Sequence, residues 1–274
     1  MEKTRYNILP VPTFGKLGVN HAERDTVISE TEEYRIESGG DELIIQYNDS
    51  DNSSKRTELI LDPNAKVRLV RVFDRPEPAV SELKAVIAEG AELELTELYI
   101  GGRDTVSGID VRLDGRRASF KADIAYTLSD EEKLDINLVA EHNGKKSTSE
   151  IAVGGVLSDR AAKVFKGTID FKQGASGAVG SEREEVLLLS ENVVNKTVPV
   201  ILCAEEDVEG NHGATIGRID ERHIFYMKSR GIPEEKIYEL TARSRLMRVI
   251  KQIESSETQK QIFEALGWGD DDEQ

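Results

Sequence analysis

The sequence predicts a mainly β protein with a small helical module at its C-terminal end. Apolar and polar residues alternate with a period of two along the middle of the chain, as in 120–128 and 134–140, which is typical of half-buried strands. Short turns rich in Gly, Asp, Asn and Ser separate these runs, and near residue 219 the apolar spacing becomes helical. Period alone leaves three all-β architectures open: a sandwich, a barrel or a solenoid.

Residues 1–65 are predicted to form a polar N-terminal segment with short strands, such as Glu42–Tyr47 between two turn clusters. The β core is predicted over residues 66–218. Its strands are expected at 66–73, 91–100, 120–128, 134–140, 162–171, 185–190 and 198–204.

A helical module is predicted over residues 219–267. Asp220 is a suitable N-cap for a first helix that ends at Gly231, and Pro233 suits the first turn of a second helix. A third helix is expected from Ser255 or Ser256 to just before Gly267. Residues 268–274 are predicted to be a solvated acidic tail.

The charge of the chain restricts its partners. It contains 36 Lys and Arg against 52 Asp and Glu, a formal net charge of −16. This balance disfavours binding to nucleic acid or to an anionic membrane, which both need a cationic surface, and it suits a partner with basic patches or a site for cations. The chain has no P-loop and no G-x-G-x-x-G at a helix start, so we expect no directly bound nucleotide.

Cys203 is the only cysteine, which excludes an intramolecular disulfide. The first residues contain no apolar core of a secretory signal, and no run of about 18 apolar residues occurs. We therefore expect a cytoplasmic protein.

The stretch DVEGNHGATIG at 207–217 places His212 next to carboxylates that include Glu205 and Glu209. Imidazole and carboxylate together can bind iron, zinc or manganese. His212 and Glu209 are therefore the candidate metal ligands, and Glu205 is a further candidate for cofactor binding. The same carboxylates favour the protonated imidazole, which is not a ligand, and the alternative interpretation is a polar turn that contains a histidine.

Two other residues are candidates for cofactor binding. His142 occupies the inward phase of its strand, in series with Leu138 and Ala140, and the alternative for it is a core histidine with satisfied hydrogen bonds. The side chain of Cys203 is expected to point to the opposite face of its strand from that of Leu202. As a thiolate it could bind a soft metal or a persulfide, and its alternative is a small buried apolar side chain.

The segment from about 141 to 250 resembles the SufB/SufD family, the scaffold subunits of SUF iron–sulfur cluster assembly. The similar stretches are EHNGKKSTS (141–149), GGVLSDRAAKVFKGTIDF (154–171), VLLLS (186–190) and the long block KTVPVILCAEEDVEGNHGATIGRIDERHIFYMKSRGI (196–232). In the first sixty residues, only TFGKLGVN (13–20) is similar.

This resemblance implies a right-handed parallel β-helix core with a small C-terminal helical domain, which selects the solenoid among the three architectures. It also implies a homodimer, or a heterodimer with another SufB/SufD-type subunit, and a SufC-like ABC ATPase that docks on the C-terminal helices. A transient iron–sulfur cluster is expected at the dimer interface. His212 falls on the family's proposed cluster-site histidine, and His142 falls on the histidine of the family's earlier E/D-H segment.

The apolar face of the C-terminal helices could pack on the β body or dock a partner protein. The resemblance favours docking of the ATPase for part of it. The expected partner-binding residues are Ile224, Phe225, Tyr226, Arg230, Ile237 and Leu240.

The chain departs from the family pattern at several motif positions. The SufB-type scaffold cysteine would fall near Val193, Gly213 replaces a SufB glutamate, and Gly210 replaces a SufD-like cysteine. AVGSEREEV (178–186) stands where the family has T-D-A-x-Q-x-N-x-N. The chain is also expected to be a short form without the family's long N-terminal helical domain.

The leading hypothesis is a non-enzymatic subunit that dimerises, binds a SufC-like ATPase and helps to assemble or transfer iron–sulfur clusters. One alternative is a regulatory or structural paralogue that keeps the ATPase dock without cluster chemistry, which the missing cysteines favour. An alternative of another class is a β-helix enzyme that acts on polysaccharide with carboxylates as acid and base. The low aromatic content, 5%, disfavours it.

Overall fold

Two parallel β-sheets form the body of the protein. The structure is a computed structural model that describes residues 3–13, 15–48, 54–74, 78–101 and 103–268. Its strands are β1 (Thr4–Tyr6), β2 (Ala22–Arg24), β3 (Glu30–Ile36), β4 (Asp41–Asn48), β5 (Ser54–Leu61), β6 (Lys66–Asp74), β7 (Ala79–Ile87), β8 (Glu92–Ile100), β9 (Thr105–Leu113), β10 (Ser119–Leu128), β11 (Lys133–His142), β12 (Thr148–Leu157), β13 (Ala162–Phe171), β14 (Ala178–Leu188), β15 (Val194–Cys203) and β16 (Val208–Gly217).

From β3 onward, successive strands alternate between the two sheets. The odd-numbered strands β3 to β15 form one seven-stranded sheet, here called the odd sheet, and β4 to β16 form the other, the even sheet. From β5 onward, each strand pairs in parallel with the strand two places earlier. The chain therefore winds as a parallel β-solenoid, which confirms the solenoid and removes the sandwich and the barrel.

Parallel pairing in register stacks each inward side chain on the equivalent residue of the preceding turn. Leu95, Ala122 and Ile151 are one such series, on β8, β10 and β12. All three are buried in the central apolar cluster. We call a series of stacked inward residues a column; neighbouring members of a column lie about 4.8 Å apart.

Glycines permit a tight corner where the chain passes from the odd to the even sheet. A Cβ on Gly144 would lie 1.8 Å from the carbonyl oxygen of Gly115, and a Cβ on Gly115 would lie 2.0 Å from the backbone nitrogen of Glu89. Successive turns therefore stack backbone on backbone at this corner, an approach that only glycine allows.

The solenoid starts at Glu30, before residue 66, where the sequence pattern predicts the core to begin. Strands β3 to β5 belong to the same two sheets as the later strands. β14 likewise begins at Ala178 rather than at residue 185, because charged residues in its first half hide the alternation of apolar side chains. The other strands expected from 66 to 204 overlap observed strands, although β15 begins at Val194, four residues before the predicted start.

The described residues of 3–24 form a strap along the outer face of the odd sheet, and we call them the N-terminal strap. β1 and β2 form a small antiparallel pair within it. The Asn7 side chain donates to the Ser107 carbonyl at 3.1 Å and to Asp135 Oδ1 at 2.7 Å. Farther along, Lys196 Nζ donates to the carbonyl of Leu17 at 2.7 Å. The strap therefore reaches β15, the last strand of the odd sheet.

Three helices follow β16: α1 (Glu221–Ser229), α2 (Glu234–Ile250) and α3 (Ser256–Ala265). Asp220 and Ser255 cap α1 and α3 through their side chains, and Gly231 adopts a positive φ after α1. Leu246, Val249 and Ile250 of α2 pack on the outer face of the even sheet. The predicted acidic tail lies outside the described residues, apart from Trp268. No helix among the described residues is long and apolar enough to cross a membrane.

We predict that Gly144→Ala destabilises the solenoid by about 3 kcal/mol, because the new Cβ overlaps the backbone of the preceding turn. The free energy of unfolding is measured by denaturant titration with circular dichroism. Gly217→Ala is the matched control, because nothing lies within 4 Å of a Cβ at that position, and it should change stability by less than about 0.5 kcal/mol. Equal effects of the two substitutions would contradict the tight corner.

Candidate functional site

The last turn of the solenoid, β15 and β16, leaves the interior uncovered at one end. Each of these strands pairs with a single neighbour, β13 or β14, and lies at the edge of its sheet. In the described structure, β16 has no buried residue, and Val198 is the only buried residue of β15. We call the inward face of these two strands the open end.

His212 lies in the open end. Its Cα partner on β14 is Glu182, whose own partner on β12 is Ile151. His212 is therefore the last member of the column that contains Leu95, Ala122 and Ile151. No further strand of the described residues covers His212, so its imidazole is exposed although it is in the inward phase.

Strand β16 corrects the interpretation of DVEGNHGATIG as a polar turn. Residues Val208–Gly217 form a full parallel ladder with β14. The stretch is polar because no later turn packs on its inward face, so burial does not require apolar side chains there.

Glu182 is buried directly beneath His212, with 5% of its surface exposed. Its carboxyl group extends across the interior to β13: a Cβ on Gly167 would lie 1.9 Å from Glu182 Oε2. No described residue forms a hydrogen bond or an ion pair with this carboxyl group. Burial, and then the charge of Glu184, raise the pKa of Glu182 to about 7.

A buried ion pair lies beside Glu182. The Lys163 ammonium binds the Glu184 carboxylate, and both side chains are fully buried. Thr197 on β15 donates to Glu184 Oε2 at 2.6 Å. Burial lowers the pKa of Lys163, and the neighbouring carboxylate of Glu184 acts in the opposite direction. This part of the interior thus contains one cation and two carboxyl groups.

The structure does not bring the predicted metal ligands His212 and Glu209 together. Because successive residues of a strand point to opposite faces, Glu209 lies on the outer face of β16, where its carboxylate accepts from Asn211 at 3.1 Å. Glu205 lies in the corner before β16 and accepts from the backbone nitrogens of Gly174 and Glu206. These backbone hydrogen bonds lower its pKa.

Cys203 ends β15 and belongs to another column, in which His142, Phe171 and Cys203 follow one another. Its thiol donates to the carbonyl of Glu205 at 3.0 Å. A Cβ on Gly210 would contact Ile201 on the facing strand β15. The two facing strands run in opposite directions, so His212, two residues after Gly210, lies at the level of Pro199, two residues before Ile201. Four residues of strand separate this level from Cys203, roughly 13 Å.

His142 is fully buried and has both ring nitrogens satisfied. Ser147 Oγ donates to the carbonyl of Gly144 at 2.8 Å, so it accepts from His142 Nδ1, also at 2.8 Å. Ser149 Oγ donates to Nε2 at 2.9 Å. These bonds assign the neutral ring with its proton on Nδ1. Burial lowers the pKa of His142 to about 4, and Phe171 separates it from Cys203.

Among the described residues, no three His, Cys, Asp or Glu side chains converge closely enough to hold a metal ion. The open end therefore holds an exposed imidazole above a buried, unpaired carboxyl group rather than a finished metal site. Sequence reasoning missed Glu182, Glu184 and Lys163. The sequence pattern could have identified two of them: Glu182 and Glu184 lie on the same face of their strand as the inward residues Gly180 and Val186.

The expected partner-binding residues differ in exposure. Phe225 is 75% exposed, and Tyr226, Arg230 and Leu240 are also exposed. Ile224 is half-buried, whereas Ile237 is buried and lines a groove of about 490 Å³ between α1, α2 and the even sheet.

Charged groups occupy the sheet side of the same groove. Arg245 and Arg248 both approach Glu185 Oε2, at 3.7 and 3.4 Å. Helix α1 itself has no buried residue among those described, which leaves its apolar side chains available for a partner.

Residues 33–244 match the protein family described as SUF system FeS cluster assembly, SufBD core domain. The match spans most of the solenoid, the whole open end, α1 and part of α2.

Three curated relatives agree with this match. The iron-sulfur cluster assembly protein SufD of Bacillus subtilis is 34% identical over 125 residues, 46% of this chain and 29% of the relative. The SufD protein of Escherichia coli is 25% identical over 182 residues, 66% of this chain and 43% of the relative. An iron-sulfur cluster assembly SufBD family protein of Mycobacterium leprae is 24% identical over 233 residues, 84% of this chain and 27% of the relative. The chain thus spans less than half the length of each.

We predict that the buried His142 makes the protein less stable at acid pH. Its folded-state pKa of about 4 is below the ordinary 6.5, so the unfolded chain takes up a proton that the folded chain excludes. The free energy of unfolding therefore falls by about 3 kcal/mol through this residue as the pH decreases from 6.5 to 4. His142→Leu is less stable throughout but lacks this slope. Denaturant titrations at several pH values measure both, and parallel pH profiles would contradict the prediction.

Proposed function

This chain belongs to the SufBD core family of the SUF system, and we propose that it is a subunit that helps to assemble or transfer iron–sulfur clusters. In this proposal the chain pairs with a second SufB/SufD-type subunit, which is a copy of itself or a paralogue. It also binds a SufC-like ABC ATPase, which performs the nucleotide chemistry.

The open end of the solenoid is the observation that supports this function best. β15 and β16 present unpaired strand edges, which proteins normally cover or pair. Ile216, which is in the inward phase of β16 and 45% exposed, adds apolar surface at this end. A second subunit that covers the open end would enclose His212 at the interface, where iron and sulfide would be handled.

The C-terminal helices supply the proposed dock for the ATPase. Phe225 and Tyr226 project from α1 with most of their rings exposed, and Arg230 lies over the Tyr226 ring at 5.3 Å. Exposed aromatic and Arg side chains of this kind are the residue types that dominate binding energy at protein interfaces. The absence of a P-loop from the sequence agrees with a partner that binds the nucleotide.

A regulatory subunit without cluster chemistry is the second candidate. The single thiol, Cys203, lies roughly 13 Å along the strand from the level of His212, whereas iron–sulfur clusters are usually held by several thiolates. This separation favours a role in which the chain positions the ATPase or its paired subunit. The match to an assembly family favours both candidates over carbohydrate hydrolysis.

Anaerobic reconstitution with iron and sulfide separates the two candidates. We expect the complex with the cognate ATPase to develop a visible chromophore, and His212→Ala to reduce bound iron and sulfide about tenfold or more, because it removes the exposed imidazole of the open end. His21→Ala, on the N-terminal strap, is the matched control and should retain both. An intact ATPase complex with no chromophore in the wild type would select the regulatory subunit, and the lack of any complex would remove both.

We predict that Phe225→Ala weakens binding of the SufC-like ATPase by about tenfold or more, since it removes an aromatic side chain that α1 exposes. Binding is measured by co-purification and by calorimetric titration. Arg222→Gln, an exposed change on the same helix, is the control and should bind as the wild type does. Unchanged affinity in Phe225→Ala would place the ATPase elsewhere.

A further inference from the structure

Glu182 is an ionisable group without a partner in the interior of the solenoid. It is more than nine-tenths buried, and no described residue donates a hydrogen bond to its carboxyl group or forms an ion pair with it. The nearby ammonium of Lys163 is bound by Glu184, and Thr197 also contacts that pair. Burial disfavours a carboxylate that has no hydrogen-bond or ion-pair partner, so a proton or a cation at this position would stabilise it.

The fold keeps space for this carboxyl group. Gly167 lies opposite it on β13, and the Cβ of any other residue there would lie 1.9 Å from Oε2 and 2.4 Å from the carboxyl carbon of Glu182. Gly167 is a strand residue with an ordinary backbone conformation, so its lack of a side chain serves this space rather than a turn. The absence of a side chain at residue 167 therefore leaves room for the Glu182 carboxyl group.

His212 is the neighbour of Glu182 on the next strand of the even sheet. The two residues are direct Cα partners in the parallel ladder of β14 and β16, and both are in the inward phase. Neighbouring strands are about 4.8 Å apart, a spacing that lets one imidazole nitrogen and one carboxylate oxygen bind the same ion through bonds of about 2 Å. The exposure of His212 leaves a path from solvent to this point.

We propose that Glu182 is the second protein ligand, together with His212, for a ferrous ion that enters through the open end. A nitrogen and an oxygen donor suit Fe²⁺ better than Mg²⁺, which prefers oxygen ligands and keeps its water. The ion would also balance the charge of the Glu182 carboxylate, because the one ammonium nearby, that of Lys163, is bound by Glu184. The choice of iron rests on the proposed function; the pair of ligands rests on the register of β14 and β16.

The test is an anaerobic titration of the full chain with Fe²⁺ in competition with a chelating dye, repeated with Co²⁺ as a visible absorption probe. Glu182→Gln and His212→Ala should each weaken Fe²⁺ binding about tenfold or more. Excess Mg²⁺ should not displace the ion. Glu209→Gln, which changes the outer face of the strand that contains His212, should bind within about twofold of the wild type.

Several results would overturn the assignment: no Fe²⁺ binding by the wild type, wild-type affinity in Glu182→Gln, or a loss in Glu209→Gln that Glu182→Gln does not show. Circular dichroism checks that each variant is folded. If Glu182→Gln does not fold, Glu182→Asp replaces it; its carboxylate is withdrawn by one methylene, so an unchanged affinity would also exclude Glu182 as a ligand.

Co-purification with the SufC-like ATPase is measured on the same variants. Loss of iron binding with the ATPase complex retained supports the ligand pair. Wild-type iron affinity in Glu182→Gln with the complex retained overturns this inference and leaves the proposed function in place. Failure of the wild type to bind the ATPase concerns the proposed function alone.

Discussion

The in-register stacking of parallel strands determines the remaining features of this protein. Each inward side chain lies about 4.8 Å from the same column position on the next strand, so a polar residue in a column must find its partner in that column or directly across the interior. Arg71 and Glu97 show the first solution: they are Cα partners on β6 and β8, and their fully buried side chains pair at 2.7 Å. Lys163 and Glu184 show the second, because they pair across the two sheets. Removing one partner of such a pair leaves an uncompensated buried charge, which costs about 3–5 kcal/mol.

The same stacking gives residues of one type opposite roles according to the turn they occupy. His142 has Phe171 as its neighbour on the next strand and two serine hydroxyls on its ring nitrogens, so it is a neutral core residue. His212 has no next strand, so its imidazole is available to solvent, to an ion or to a partner. Cys203 is also on the last turn, but its column is different. The turn on which a residue lies decides whether its side chain is exposed. Its column decides which other side chains it can contact.

The sequence could predict the central strands, because residues covered on both sides by neighbouring turns show apolar and polar alternation, as in β10 and β11. Both end turns lack a neighbour on one side, and their sequences are polar for that reason. For this reason the sequence pattern places β3 (Glu30–Ile36) in a separate N-terminal segment and leaves β16 open to interpretation as a turn. The column of Glu182 could not be predicted, since it depends on how many residues each corner contains. Helix positions were predicted well, because their caps are local signals at Asp220, Gly231 and Ser255.

The two ends of the solenoid handle the same electrostatic problem differently. At the first turn, the inward carboxylate of Glu32 would have its pKa raised by burial, but Lys55 at 2.9 Å, together with hydrogen bonds from Tyr34 and Gln46, lowers it. At that end, a lysine of the same chain therefore compensates this carboxylate. At the last turn, no cation of the described residues forms an ion pair with Glu182, because Lys163 binds Glu184, and the partner of Glu182 on the next strand is a histidine. An imidazole nitrogen and a carboxylate oxygen can share a metal ion. The asymmetry therefore supports the proposal that an ion and a partner bind at the C-terminal end of the solenoid rather than at its N-terminal end.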